Sequence, residues 1–202
     1  MYNDLSYLEK DALKELFNLS MGRAANTMNE IFSKNIELSI PECIILPREE
    51  ILKLHNINST TITSVSQTFF SSTGDEGIGF LVFPQVNLER LVYFMTKEAD
   101  LNPDSKEIQK EVITEFGNLI LNACMGTIAN LTMIDFKFNL AEFYEGELNK
   151  LVDFDRVKSD FETVLVIYVD YKIENENIEG YLLFMLNWSL IDYFINEVMK
   201  TI

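Results

Sequence analysis

Lys10 and Lys110, Glu15 and Glu115, Asn18 and Asn118, Leu19 and Leu119, Thr27 and Thr127, and Glu42 and Glu142 are pairs of like residues a constant 100 positions apart. At an offset of 101, Gly79-Phe80-Leu81-Val82-Phe83 falls on Gly180-Tyr181-Leu182-Leu183-Phe184, and at 100 Tyr93-Phe94 falls on Tyr193-Phe194. Chance rarely aligns so many polar residues, so the chain reads as two copies of one unit. A few strands half-covered by helices cannot bury both faces alone. Two such units are therefore expected to join their strands into one mainly antiparallel sheet, with two long helices and further helices packed on it, as a pseudo-twofold α+β body.

Each copy shows the same plan. From about Ser6 to Ser33 the residues Leu8, Leu13, Leu16, Phe17 and Met21 recur at helical spacing without an internal proline. Three stretches rich in β-branched and aromatic residues follow, Ile36 to Leu46, Thr60 to Ser71 and Gly77 to Phe83, the last two joined by a Ser72-Thr73-Gly74-Asp75 turn. A helix from about Asn87 to Ala99 closes the unit before Asp100-Leu101-Asn102-Pro103, whose proline disfavours further helix. The order then recurs: a helix from about Asp104 to Leu131, strands near Phe136 to Phe143, Glu162 to Tyr171 and Glu179 to Leu186, and a helix from about Ser189 to Met199. With 202 residues available, a single domain over 1–202 is expected, with repeats at about 6–99 and 104–202.

Charge narrows the partners. Sixteen basic against 32 acidic residues give a net charge of −16, which repels nucleic-acid backbones and anionic membrane surfaces. The N-terminus lacks a basic region followed by an apolar stretch, and no segment approaches the ~20 apolar residues of a membrane span, so a cytoplasmic protein without membrane insertion is expected. Cys43 and Cys124 sit in apolar sequence away from metal-ligand spacing and read as buried thiols of a reducing compartment, with no metal expected. His55, the single histidine, cannot build a Ser-His-Asp arrangement. Gly74-Asp75-Glu76-Gly77-Ile78-Gly79 lies between strands instead of opening a helix, so it reads as hairpin chemistry rather than a nucleotide loop.

The residues able to carry chemistry are Asp11, Glu15 and Asn18 in the first long helix and Glu111, Glu115 and Asn118 in the second. Spacings of i, i+4 and i+7 keep each trio within an arc of roughly 60°. That face lies largely opposite the apolar stripe, so carboxylate and amide are expected to project into solvent. Polar residues on a helix exterior are ordinarily its solvated face. Asn, however, is a mediocre helix former, and its recurrence three residues after a Glu in both copies suggests a retained task.

The pattern resembles the CheC, CheX and FliY phosphatases of bacterial and archaeal chemotaxis. Their signature is Asp or Ser, three residues, Glu, two residues, Asn, twenty-two residues, Pro. Asp11, Glu15, Asn18 and Pro41 meet it in full, and Gly22, Ala24 and Ala25 also look like the family. The second copy keeps Glu115, Gly117 and Asn118 but has Glu111 at the first position and Ala141 in place of proline. Phe17 stands where glycine is usual before the first Asn, a change that bears on how closely a partner approaches that face. Two sites make CheC the nearest pattern, since CheX has one and FliY adds a flagellar-switch domain.

The resemblance implies a protein phosphatase that hydrolyses the aspartyl phosphate of a CheY-like response regulator. Asn18 or Asn118 would orient the attacking water, and Glu15 or Glu115 would pair with the regulator's active-site lysine. Asp11, Lys14 and Glu111 would help docking, Pro41 would be a structural part of the motif, and the chain would need no cofactor of its own because Mg²⁺ is supplied by the regulator. Lys10, Lys14, Lys106 and Lys110 would locally offset the acidic charge. The alternative is a noncatalytic adaptor using the same faces to bind a regulator or a CheD-like deamidase.

Overall fold

A capping box starts the first helix. Ser6 Oγ accepts from the Glu9 N–H at 3.3 Å and Glu9 Oε2 accepts from the Ser6 N–H at 2.7 Å, which satisfies two of the donors that a helix N-terminus leaves unpaired. The computed structural model describes residues 5–32, 35–53, 61–96, 102–151, 161–173 and 176–201. Helix α1 runs Tyr7–Phe32 and α3 runs Lys106–Thr132, the latter capped by Ser105 and ended by Met133 in the left-handed region. Strands β1 (Ile36–Ser39), β2 (Cys43–Pro47), β3 (Ile62–Ser71) and β4 (Glu76–Pro84) lie between α1 and α2 (Gln85–Thr96). Strands β5 (Phe136–Phe138), β6 (Glu142–Gly146), β7 (Thr163–Ile173) and β8 (Glu176–Leu186) lie between α3 and α5 (Trp188–Thr201), with the single turn α4 (Leu148–Leu151) after β6. His55 lies outside the described residues.

Two of the expected strands are each divided. Ile36 to Leu46 forms β1 and β2 rather than one strand, because the register on β7 shifts by one residue between Ser39 and Cys43 where Pro41 has no N–H to give the ladder; the Glu42 carbonyl already takes the Tyr168 N–H at 2.9 Å. Phe136 to Phe143 likewise splits into β5 and β6 around Asn139 to Ala141. The 3-10 helix Arg48–Lys53 and α4 had no counterpart in the reading of the sequence. The hairpin between β3 and β4 forms as expected, with Gly74 at φ 93° and its N–H on the Ser71 carbonyl at 3.1 Å. This is a left-handed position that glycine occupies without steric cost.

All strand pairs are antiparallel and belong to one sheet ordered β1-β7-β8-β4-β3-β5, with β2 also on β7 and β6 also on β3. Each half therefore lends its two short strands to the long hairpin of the other. The registers correspond. Ile36 faces Ile173 as Phe136 faces Ser71, and Cys43 faces Ile167 as Phe143 faces Val65. At the centre Leu81 of β4 faces Leu182 of β8, its own counterpart at the offset of 101, so an approximate twofold axis passes between these two residues.

The helices α1, α2, α3 and α5 cover one face of the sheet over the larger core, which includes Phe17, Met21, Phe69, Phe116, Tyr171 and Phe184. A smaller core on the other face gathers Ile51, Phe80, Val82, Leu148, Phe161 and Tyr181. By length and composition α3 is apolar enough to cross a membrane, contrary to the reading that no segment approaches this; half of its most apolar stretch is buried inside the fold. Its apolar residues serve contacts on two sides, to the sheet and to α1.

Candidate functional site

Helices α1 and α3 lie side by side and antiparallel. Arg23 Nη1 donates to Thr127 Oγ1 at 3.4 Å, and farther toward the start of α1 Glu15 and Leu16 share a hollow with Asn130 and Leu131 at the end of α3. The two Glu-x-x-Asn pairs thus sit toward opposite ends of this helix pair. With Asn118 opposite about residue 32 of α1, at 1.5 Å per residue the asparagines are about 20 Å apart along the axis.

Glu15 and Glu115 are exposed, as are Asp11 and Glu111, while Lys14 is half-buried. The positive charge of Lys14 is felt at Cys43 in β2, where it opposes the effect of burial. Lys10 and Lys110 are exposed, whereas Lys106 is 3.2 Å from Glu145, so its charge is partly spent within the fold. The hollow beside Glu15 holds about 350 Å³ and is lined mainly by apolar side chains, including Ala12, Leu16, Leu19 and Val198. Among the described residues no three His, Cys, Asp or Glu side chains gather into a group that could hold a metal ion.

The asparagines depart from the reading that they project into solvent. Both are half-buried. Asn18 Oδ1 accepts from the backbone N–H of Ile40 at 2.9 Å, and on the same helix Asn29 Oδ1 accepts from the Ile36 N–H at 2.7 Å. Eleven residues of helix, about three turns, separate these asparagines, so one flank of α1 grips β1 at both ends. That flank looks solvent-exposed in sequence because the strand that covers it lies beyond the reach of helical periodicity. The N–H of Ile40 also settles which atom of the Asn18 amide is oxygen. Among the described residues Nδ2 has no hydrogen-bond acceptor and is not sealed from solvent.

At the second site the arrangement differs. Asn118 Oδ1 receives Asn122 Nδ2 at 3.1 Å and Gln67 Nε2 at 3.5 Å, and Gln67 Nε2 also donates to the Asn139 carbonyl at 3.1 Å. Leu140, the counterpart of Ile40, is 90% exposed where Ile40 is 1% exposed. The connection between β5 and β6, with Ala141 in place of Pro41, does not come under the helix as its counterpart does. Gln67 was not singled out in the sequence; a glutamine alternating with Val65 and Phe69 on a strand was the available signal.

Phe17 does not lie on the outward face of α1. It is buried and stacks on Phe184 with ring centres 6.0 Å apart, while Gly117 lets α3 approach Val65 so closely that a Cβ there would meet Val65 Cβ at 2.6 Å. The residue before each Asn points at the sheet, so this departure from the motif sets how far the helix stands off the strands. Pro41 is exposed in the connection just after Ile40.

The chain is 20% identical over 138 residues to the CheY-P phosphatase CheC of Bacillus subtilis, a match taking in 66% of this chain; the chain spans 65% of the length of that relative. Its fold superposes on FliY of Thermotoga maritima with a TM-score of 0.73 at 18% identity, covering 97% of this chain and 98% of that one. In sequence the chain is thus similar to CheC, and in fold to FliY. The FliM middle domain of Vibrio alginolyticus (TM-score 0.64, 10% identity, 92% of this chain and 99% of that one) and CheX of Desulfovibrio desulfuricans (TM-score 0.55, 14% identity, 86% and 99%) share the CheC-like fold. No family model matches the sequence.

Proposed function

We propose that this CheC-like chain acts in chemotaxis as a phosphatase of a phosphorylated CheY-like response regulator. One observation carries the reading. On each of two antiparallel helices an exposed carboxylate stands one turn before an amide whose oxygen is tied into the fold, and among the described residues neither amide nitrogen has an acceptor. Hydrolysis of an aspartyl phosphate needs a water held in line with phosphorus and charge stabilised on the phosphoryl oxygens. An amide fixed through its oxygen presents N–H donors without bringing a negative charge to the phosphate. Glu15 and Glu115 would dock against the regulator's active-site lysine, and the Mg²⁺ comes with the regulator.

The sites offer different chemistry. Asn18 Oδ1 receives one donor and keeps a lone pair for a water, whereas two donors converge on Asn118 Oδ1. The first site would therefore contribute the larger share of turnover. The test is the decay of a phosphorylated CheY-like protein in Mg²⁺ with the purified chain and with Asn18→Ala, Asn118→Ala and the double variant. Decay is expected to accelerate with the wild type, to suffer more from Asn18→Ala than from Asn118→Ala, and to return to the spontaneous rate with both.

A second reading, a noncatalytic adaptor, is favoured by the likeness to FliM of Helicobacter pylori, whose structures include complexes with FliG and with SpeE. It predicts binding of a regulator or a CheD-like deamidase with unchanged phosphate decay. The recurrence of Glu and Asn on both helices supports the phosphatase.

A further inference from the structure

Val65, Gln67 and Phe69 alternate onto the helix-covered face of β3, a row otherwise given to apolar packing. Gln67 is only 7% exposed, and its Oε1 is buried without a partner. Because Cys43 faces Ile167 as Phe143 faces Val65, Val65 corresponds to Ile167, and two residues on Gln67 corresponds to Val169. Val169 is buried in the same core. Beneath α1 the fold thus uses valine; beneath α3 it uses an amide that carries an unsatisfied buried acceptor, an arrangement that costs stability and so calls for a task in the rest of the group.

The donor end of Gln67 defines that task. Its Nε2 spans the Asn139 carbonyl and Asn118 Oδ1, and the carbonyl forces the nitrogen, not the oxygen, of Gln67 toward Asn118. We infer that Gln67 is the positioning residue of the second site, fixing the Asn118 amide with its oxygen inward, as the Ile40 backbone fixes Asn18. Asn122 cannot do this alone, since it is exposed on the same helix and does not tie the amide to the sheet. The inference rests on the phosphatase reading.

The test isolates the second site with Asn18→Ala and adds Gln67→Val, which copies the opposite half, or Gln67→Met, which keeps the length of the side chain but has no donor. The substrate is a CheY-like regulator phosphorylated by a small-molecule phosphodonor in Mg²⁺. In this background kcat should fall about tenfold with KM changed by less than about twofold, as when a reacting group loses its orientation. In the Asn118→Ala background, where only the first site remains, Gln67→Val should leave the rate unchanged. A rate in Asn18→Ala/Gln67→Val equal to or above that of Asn18→Ala overturns the inference. If the wild type leaves the spontaneous decay unchanged, the phosphatase reading itself falls; if Asn18→Ala/Asn118→Ala is as fast as an accelerating wild type, the chemistry lies elsewhere and the inference falls with it. The side-chain amide resonances of Asn118, compared between wild type and Gln67→Val, then decide the hydrogen bond independently of turnover: they should shift, and unmoved resonances would show that Gln67 does not hold this amide.

Discussion

Oδ1 of Asn18 accepts the backbone N–H of Ile40 at 2.9 Å, so the amide of the proposed first site also ties the connection between β1 and β2 to the helix. This contact accounts for the long fixed gap in the motif. The N–H that Asn18 holds belongs to the residue just before Pro41, and a residue preceding proline is driven to extended backbone. Pro41 thus helps present the Ile40 N–H to the helix.

Asn18→Ala removes both the outward donor and the inward acceptor. It should lower stability by about 1 kcal/mol through the lost hydrogen bond as well as remove turnover at that site. Asn18→Asp keeps an acceptor for Ile40 and loses the donor, so it should hold the thermal midpoint near wild type while turnover falls. Thermal unfolding beside phosphate-release rates separates the two roles.

Glu15 and Glu115 are exposed on ordered helices, so reversing either charge should alter stability by no more than about 0.5 kcal/mol. Affinity for a phosphorylated regulator should weaken with Glu15→Lys and weaken further with Glu15→Lys/Glu115→Lys. Titration calorimetry against the regulator carrying a phosphoryl analogue, with urea unfolding of each variant, checks both halves of this expectation.

The residues before the two asparagines are not interchangeable. Phe17→Gly would empty a buried ring site against Phe184, at a cost of about 3–5 kcal/mol. Gly117→Ala would press a methyl into Val65 and cost about 1–3 kcal/mol. Urea midpoints should fall in that order.

Burial pushes the Cys43 thiol from its ordinary 9.0 up to about 12, and burial likewise pushes Cys124 upward. Because the folded chain holds these protons more tightly than the unfolded chain, the contribution is complete below pH 9 and is lost as pH rises from 9 to about 12. Stability should decline over that alkaline window, and less so in Cys43→Ala/Cys124→Ala when each protein is referred to its own value at pH 8. At pH 8 a chromogenic thiol reagent should react with neither cysteine in the native state and with both in denaturant.

Local patterns were legible wherever their cause was local. Helical periodicity marked α1 and α3, the Gly74 turn marked the β3–β4 hairpin, and matching spacing placed Glu15 with Asn18 and Glu115 with Asn118 on their helices. The sequence by itself determined these because a side chain's direction along a helix or strand follows from backbone geometry within a few residues. Only the tertiary structure decided that β1 and β2 join β7 while β5 and β6 join β3, that Asn18 turns its oxygen to Ile40, and that Gln67 reaches Asn118. Those relations join residues 22 to 137 positions apart, and they are selected by long-range strand register and burial, which no local repeat in the chain encodes.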